Sequence, residues 1–266
     1  MVCHDGSAAS KEALEAVYHG LLRDADKLSV AHVMCEEKEK YLSYDLKENY
    51  IKSQTEALCA SLGERFKYHS KALDTAEHET AKHALGVLAT EYHATIQVVG
   101  FHGRKGPKAD PTVMGSAVQF LSIEAVAPIL IIKDPHNRKD RPNGFRFCAC
   151  VDGSEKSLKA LKMICDVKSP GDKITVIICE QANLDTGKVC DIVAYNLEES
   201  GCLEDAIVEV LSSEDGKSAA TIIREYLLAA ADRDHYVDYI MLGNQGADFS
   251  KNDKDKYLGS VANEII

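Results

Sequence analysis

The feature that most constrains this chain is an internal repeat. Asp5-Gly6-Ser7-Ala8-Ala9-Ser10-Lys11-Glu12-Ala13-Leu14 returns as Asp152-Gly153-Ser154-Glu155-Lys156-Ser157-Leu158-Lys159-Ala160-Leu161, with six of ten positions identical. Gly100-Phe101-His102-Gly103 followed by Gly115-Ser116 returns, in the same order, as Gly243-Asn244-Gln245-Gly246 followed by Gly259-Ser260. Two copies of one domain therefore fill the 266 residues, a length that suits two domains of ordinary size. Between them, Asp134 to Gly144 is rich in charge, Pro, Asn and Gly and has no apolar periodicity, as a linker does. The expected domains are residues 1–134 and 145–266.

In the first copy, Leu14, Val17, Tyr18, Leu21 and Leu22 form a stripe with helical spacing, and Ser7 or Ser10 is placed to cap its start. Leu28 to Met34 predicts a buried strand and Phe66 to Ala72 another. Asp45 to Leu62 and Thr75 to Glu91 predict helices. Ile96 to Val99 and Ile129 to Ile132 are Val- and Ile-rich runs without polar alternation, the pattern of parallel strands covered on both faces. Strands alternating with helices predict an α/β fold of doubly wound parallel sheets, with ligands at the carboxyl ends of strands beside the topological switch. In the second copy only six residues follow Ser260, too few for the helix and strand that follow Ser116, so that sheet is expected to lack its last strand.

Apolar residues make up 45% and charged residues 27%, which predicts a packed core rather than a disordered chain. No apolar run is long enough for a membrane helix and no signal-peptide pattern opens the sequence, so a cytoplasmic protein is expected, with no membrane partner. The formal charge of -11 repels phosphate backbones and predicts no nucleic-acid partner. Nine cysteines without regular spacing read as reduced thiols, and Cys148 and Cys150, two apart on a strand, read as packing residues.

Asp5 follows a short apolar start and precedes Gly6-Ser7 and a helix. Its carboxylate is thus expected at the carboxyl end of the first strand, either facing a ligand or closing an Asx turn whose helix Ser7 caps; Asp152 has the same two readings. Gly100 and Gly103 open a loop after a strand and Gly115-Ser116 closes it at a helix start, with Arg104, Lys105 and Lys108 between. That arrangement is either a phosphate cradle or a glycine-rich surface loop with solvated basic residues. His78 and His83 stand five apart, about 140° around a helix, which predicts no shared metal. No nucleophile elbow or Walker loop is present, and no catalytic residue is assigned.

Val2-Cys3-His4-Asp5-Gly6-Ser7, His32-Val33, Val98-Val99-Gly100-Phe101-His102-Gly103-Arg104, Gly115-Ser116 and Pro128-Ile129-Leu130-Ile131-Ile132 together resemble the universal stress protein family, with residues 145–266 a more divergent copy. The resemblance implies two five-stranded parallel domains, like those of the adenine nucleotide α-hydrolases, and in one branch of the family an ATP at the switch point. Carried over, Asp5 would face the ribose, the Val33 backbone the adenine edge, and Gly100, Gly103, Gly115 and Ser116 the phosphates. The corresponding second set is Asp152, Cys179, Gly243, Gly246, Gly259 and Ser260. The family pattern has nine residues between its second and third glycines, whereas eleven separate Gly103 from Gly115 and twelve separate Gly246 from Gly259.

The resemblance implies a non-catalytic stress-response protein that binds ATP or a related adenine nucleotide, with Mg if a triphosphate is bound, and pairs as a homo-oligomer or between its own domains. The alternatives are an interaction module that binds no nucleotide and a slow ATPase. The first copy is expected to bind better than the second, because its loop carries Arg104, Lys105 and Lys108 against Asp110 alone, whereas Ala247 to Leu258 has equal numbers of acids and bases.

Overall fold

The computed structural model describes residues 1–74, 79–106, 113–182, 184–212, 216–231, 236–245 and 258–266. The chain divides into two units, Met1–Lys139 and Asp140–Ile266. The first runs β1 (Val2–Cys3), α1 (Ala8–Ala16), β2 (Leu28–Met34), α2 (Glu36–Glu39), α3 (Glu48–Leu58), β3 (Phe66–Ala72), α4 (Ala81–Glu91), β4 (Gln97–Gly100), α5 (Ser116–Glu124) and β5 (Ile129–Ile132). Its five strands lie in the order β3-β2-β1-β4-β5, all parallel. The chain winds outward from β1 to β3 and then returns to the other side for β4, so the switch point falls between β1 and β4.

The second unit runs β6 (Arg146–Cys150), α6 (Glu155–Val167), β7 (Lys173–Cys179), α7 (Thr186–Glu199), β8 (Ala206–Leu211), α8 (Ala219–Ala231), β9 (Tyr239–Leu242) and α9 (Ser260–Ile265). Its parallel sheet has the order β8-β7-β6-β9, and no strand among the described residues matches β5. The protein is thus α/β, with a five-stranded and a four-stranded doubly wound parallel sheet.

The inner strands of each sheet are apolar and mostly buried beneath helices, whereas the edge strands β3 and β8 are partly exposed. On one face of the first sheet Cys3 and Val99 pack against Val118 and Leu121 of α5. In the second, Cys148 and Cys150 point to one face, where they meet Ile177 and Ile223. All nine cysteines are free thiols.

Several helix limits differ from the periodicity. After α1 the backbone widens into one i→i+5 turn, Val17–Leu21, and Leu22 leaves it in an extended conformation, so the expected stripe ends a residue early. The helix predicted over 45–62 is a 3₁₀ turn at Tyr44–Leu46, then α3, then a second 3₁₀ turn broken at Gly63, whose φ of 54° no helix tolerates. Of the helix predicted over 75–91, the described part is α4, which opens at Ala81 after an extended Thr80, and residues 75–78 lie outside the described residues. His78 lies outside the described residues, while His83 on α4 bonds Thr80 through Nδ1 at 2.8 Å. Among the described residues no helix is long and apolar enough to cross a membrane.

Candidate functional site

The repeated Asp-Gly-Ser-x-x-Ser builds the same turn in both units. Asp5 Oδ1 accepts the Ser7 N–H at 3.0 Å and the Ser7 hydroxyl at 2.6 Å, and Asp152 Oδ1 accepts the same groups of Ser154 at 3.0 and 2.6 Å. Ser7 Oγ then accepts the Ser10 N–H, and Ser154 Oγ that of Ser157, each at 3.3 Å, capping α1 and α6. Ser10 is not the cap. Its buried hydroxyl donates to the Ser7 carbonyl at 2.9 Å and accepts the Asp5 N–H at 3.3 Å. Gly6 and Gly153 have φ of 85° and 79°, which only glycine adopts readily. Turn and cap thus account for both aspartates, whether or not a ligand is bound.

In the first unit Asp5 makes a further bond. Its Oδ2 accepts the backbone N–H of Arg104 at 3.1 Å, tying the end of β1 to the loop after β4 across the switch point. Burial opposes ionisation of Asp5, but the Ser7 hydroxyl and amide and the Arg104 charge outweigh it and hold the carboxyl below the usual range.

The glycines of that loop have structural reasons of their own. A Cβ on Gly100 would stand 2.4 Å from the Ala9 carbonyl oxygen and 2.8 Å from the Ser10 nitrogen, so α1 lies directly on the end of β4. On Gly103 it would stand 3.1 Å from Asp5 Oδ2, and on Gly115 3.3 Å from the Phe101 carbonyl oxygen. The Gly115 N–H donates to that Phe101 carbonyl at 3.1 Å, and in the second unit Gly259 donates to Asn244 at 2.8 Å. Both loops are pinched at the same point despite their unequal, extended lengths, so the longer sequence leaves Gly115 and Gly259 on their strand ends. Ser116 and Ser260 open α5 and α9 and are exposed. Gly246, Lys108 and Asp110, and Ala247 to Tyr257, lie outside the described residues.

One expected outcome follows for the loop. Gly115→Val places a branched side chain against Phe101 with or without ligand and weakens α5 docking by about 1 to 3 kcal/mol, readable as a lower melting temperature in ligand-free protein.

Sequence reasoning missed the group beside Asp5. His32 is 1% exposed, and its Nδ1 donates to the His4 carbonyl at 2.7 Å, which leaves Nε2 as the acceptor of a neutral ring. That Nε2 faces Arg104 Nη2 at 3.5 Å, and Arg104 Nε donates to the Asp5 carbonyl. His4 Nδ1 meets Ser10 Oγ at 2.8 Å. Burial lowers both imidazoles, His4 to about 4, with the Arg104 charge acting in the same direction on each. The available signal was a histidine at each of two adjacent strand ends, against Val151 in the repeat.

Beside this group a cavity of about 310 Å³ opens at the carboxyl end of β2. Val33, Met34, Leu42, Leu46 and Leu73 supply much of its largely apolar lining, and among the other lining residues are His32, Lys38, Arg104 and Lys105 against Glu39 and Glu48. Its size is at the lower end of the range for small-molecule sites, about 300 Å³. Val33 and Arg104 thus meet at one cavity; Gly100, Gly103, Gly115 and Ser116 lie along the adjoining loop and helix start.

The second unit is built differently there. The Val151 N–H donates to Ile177 as the His4 N–H does to Ala31, both at 2.9 Å, so Val151 stands in the place of His4, Ile178 in that of His32 and Cys179 in that of Val33. Lys156 Nζ donates to Asn244 Oδ1 at 2.8 Å and Gln245 Oε1 at 2.6 Å, laying its ammonium over the start of the second loop, beside Gly243. Among the described residues of either unit no cluster of three His, Cys, Asp or Glu is placed to hold a metal ion.

The universal stress protein of Archaeoglobus fulgidus DSM 4304 is similar in structure, with a TM-score of 0.56 and 15% identity over 93% of this chain and 85% of that one. Protein Rv1636 from Mycobacterium tuberculosis H37Rv matches with a TM-score of 0.31 and 11% identity, over 40% of this chain and 76% of that one. The hypothetical protein PH0823 matches with a TM-score of 0.36 and 18% identity, over 50% and 93%. No family model and no curated protein matches the sequence. The first of these structures spans both units, and with it the chain has the universal stress protein fold.

Proposed function

We propose that this tandem of universal stress protein folds binds an adenine nucleotide in its first unit and acts through occupancy of that site rather than through catalysis. The observation that carries the reading is the cavity at Val33, at the carboxyl end of β2, with Arg104 beside it. Apolar walls suit a planar base, and an excess of cationic over acidic lining residues in a chain with charge -11 suits an anion. Val33 would lie against the base. The first-turn N–H groups of α5, at Ser116 and beyond, together with Arg104, would meet phosphate; the Gly115 N–H is already given to Phe101. No described side chain stands out as a base for hydrolysis.

Calorimetric titration with ATP and with AMP tests this. One nucleotide per chain is expected, with stabilisation of about 2.7 kcal/mol at a hundredfold excess over Kd. Hydrogen-exchange protection is expected at Leu28–Met34 and residues 35–48, and none at Lys173–Cys179. Absence of heat and of thermal stabilisation at millimolar nucleotide refutes the reading, and two sites per chain refute its assignment to the first unit. A second reading, an interaction module without nucleotide, has one observation in its favour: the N–H groups of Arg104 and Gly115, two of the loop's amides, are spent on Asp5 and Phe101.

A further inference from the structure

Arg104 is the point at which the loop after β4, the end of β1 and the end of β2 meet. Its backbone N–H goes to the Asp5 carboxylate, its Nε–H to the Asp5 carbonyl, and its Nη2 faces His32 Nε2 at 3.5 Å. The guanidinium therefore has donors left over, and Arg104 is among the residues lining the 310 Å³ cavity. His32 has no freedom to turn, because its Nδ1–H is committed to the His4 carbonyl at 2.7 Å and the ring is 1% exposed. A neutral His32 presents a lone pair to Arg104; a protonated one presents an N–H and a second positive charge.

We propose that Arg104 is the cation that contacts the anionic part of a ligand in this cleft and that His32 is its positioning residue, so that protonation of His32 releases Arg104 and weakens binding. The ligand half of this rests on the nucleotide reading above; the coupling of His32 to Arg104 does not. The charged and titratable groups that face His32 are His4 and Asp5 from the end of β1, Glu48 at the start of α3 and Arg104 itself. Burial, the largest influence, and the Arg104 charge oppose the protonated ring, while the bond to the His4 carbonyl, Glu48 and Asp5 favour it. Ile178 takes the place of His32 in the second unit, which therefore has no such device.

Two measurements separate the halves. In ligand-free protein, the Arg104 Nε–H signal in proton–nitrogen NMR spectra is expected to be protected from exchange at pH 7.5 and to move to the chemical shift of a free guanidinium as the His32 ring titrates. In Arg104→Met, a change at a partly exposed side chain, the His32 titration should move to higher pH because the facing charge is gone. In calorimetry, ATP affinity should fall about tenfold between pH 7.5 and the protonated state of His32, the loss of one hydrogen bond to a charged group. Arg104→Met should lose the same factor at pH 7.5 and show little further pH dependence. His32→Gln keeps a neutral acceptor and should hold its affinity across the range. An Arg104 signal indifferent to the His32 titration, or a His32 titration unmoved in Arg104→Met, overturns the positioning role. Equal ATP affinity of Arg104→Met and parent overturns the ligand contact. If ATP binds to no form of the protein, the nucleotide reading and the contact fall together, and the spectra alone decide the coupling.

Discussion

Gly100→Ala is expected to lower the stability of the first unit by about 3 kcal/mol, the upper end of what overpacking a closed site costs. The added Cβ would stand 2.4 Å from the Ala9 carbonyl oxygen and 2.8 Å from the Ser10 nitrogen, and both are backbone atoms of α1 that no rotamer change can move aside. Shifting α1 outward would also pull on the Asp5, Ser7 and Ser10 turn at its N-terminus. With a total of about 5 to 15 kcal/mol holding a typical domain, that is a large share. Two comparators calibrate the result. Gly106→Ala has φ of 67° but no neighbouring atom within 4 Å, so it should cost only about 1 kcal/mol of backbone strain. Gly243→Ala meets Ser157 at 3.0 Å and the side chain of Lys156 at 3.1 Å, and should fall between the two. Urea unfolding followed at β2 and β7 amide resonances resolves the units. A Gly100→Ala protein within 0.5 kcal/mol of the parent would show that the packing of α1 on β4 is not what demands glycine there.

That glycine marks where the sequence stops being legible. The strands Leu28–Met34, Phe66–Ala72 and Ile129–Ile132 were readable to the residue, because runs of apolar or alternating side chains bounded by turn residues have few other uses in an α/β chain. The duplication was readable because turn chemistry repeats as residue identities: Asp5, Ser7 and Ser10 share a set of bonds around Gly6, and Asp152, Ser154 and Ser157 repeat it around Gly153. A missing Cβ is different. An anion approaching the backbone and a helix crossing it make the same demand, and the atoms that press on Gly100 come from Ala9, far away in sequence. The His4, His32 and Arg104 group was illegible for a related reason. Its members come from three elements and are joined by contacts 28 to 99 residues apart, so no spacing rule links them. Helix limits failed locally, where Thr80 and Gly63 take conformations that apolar periodicity does not report.

Acid should unfold the first unit before it unfolds the second, and His4 should account for the largest single part of the difference. Burial comes first among the causes that hold the His4 imidazole neutral down to about 4, against an ordinary value of 6.5. The unfolded chain therefore takes up a proton near pH 6.5 that the folded unit refuses, and the sign follows directly. The full stability is present above pH 6.5, it declines as the pH falls through the window from 6.5 to 4, and about 3 kcal/mol is gone below it. His32, also lowered by burial, adds a loss of the same sign. Asp5 acts in the same direction but at lower pH, since its carboxyl is held below the usual range and must be protonated last. The repeat supplies the control. Val151 occupies the place of His4 in the second unit, and Ser157 there keeps its bonds to Asp152 and Ser154 without an imidazole beside it. In His4→Val the Ser10 hydroxyl keeps its two backbone partners, so the variant should fold. It should show a decline in the β2 unfolding free energy between pH 7.5 and 4 that is smaller by about 3 kcal/mol. An unchanged slope in this variant would mean that the His4 ring opens to solvent and titrates in the folded protein, and that the seal of His4 against Ser10 and α1 is not kept in solution.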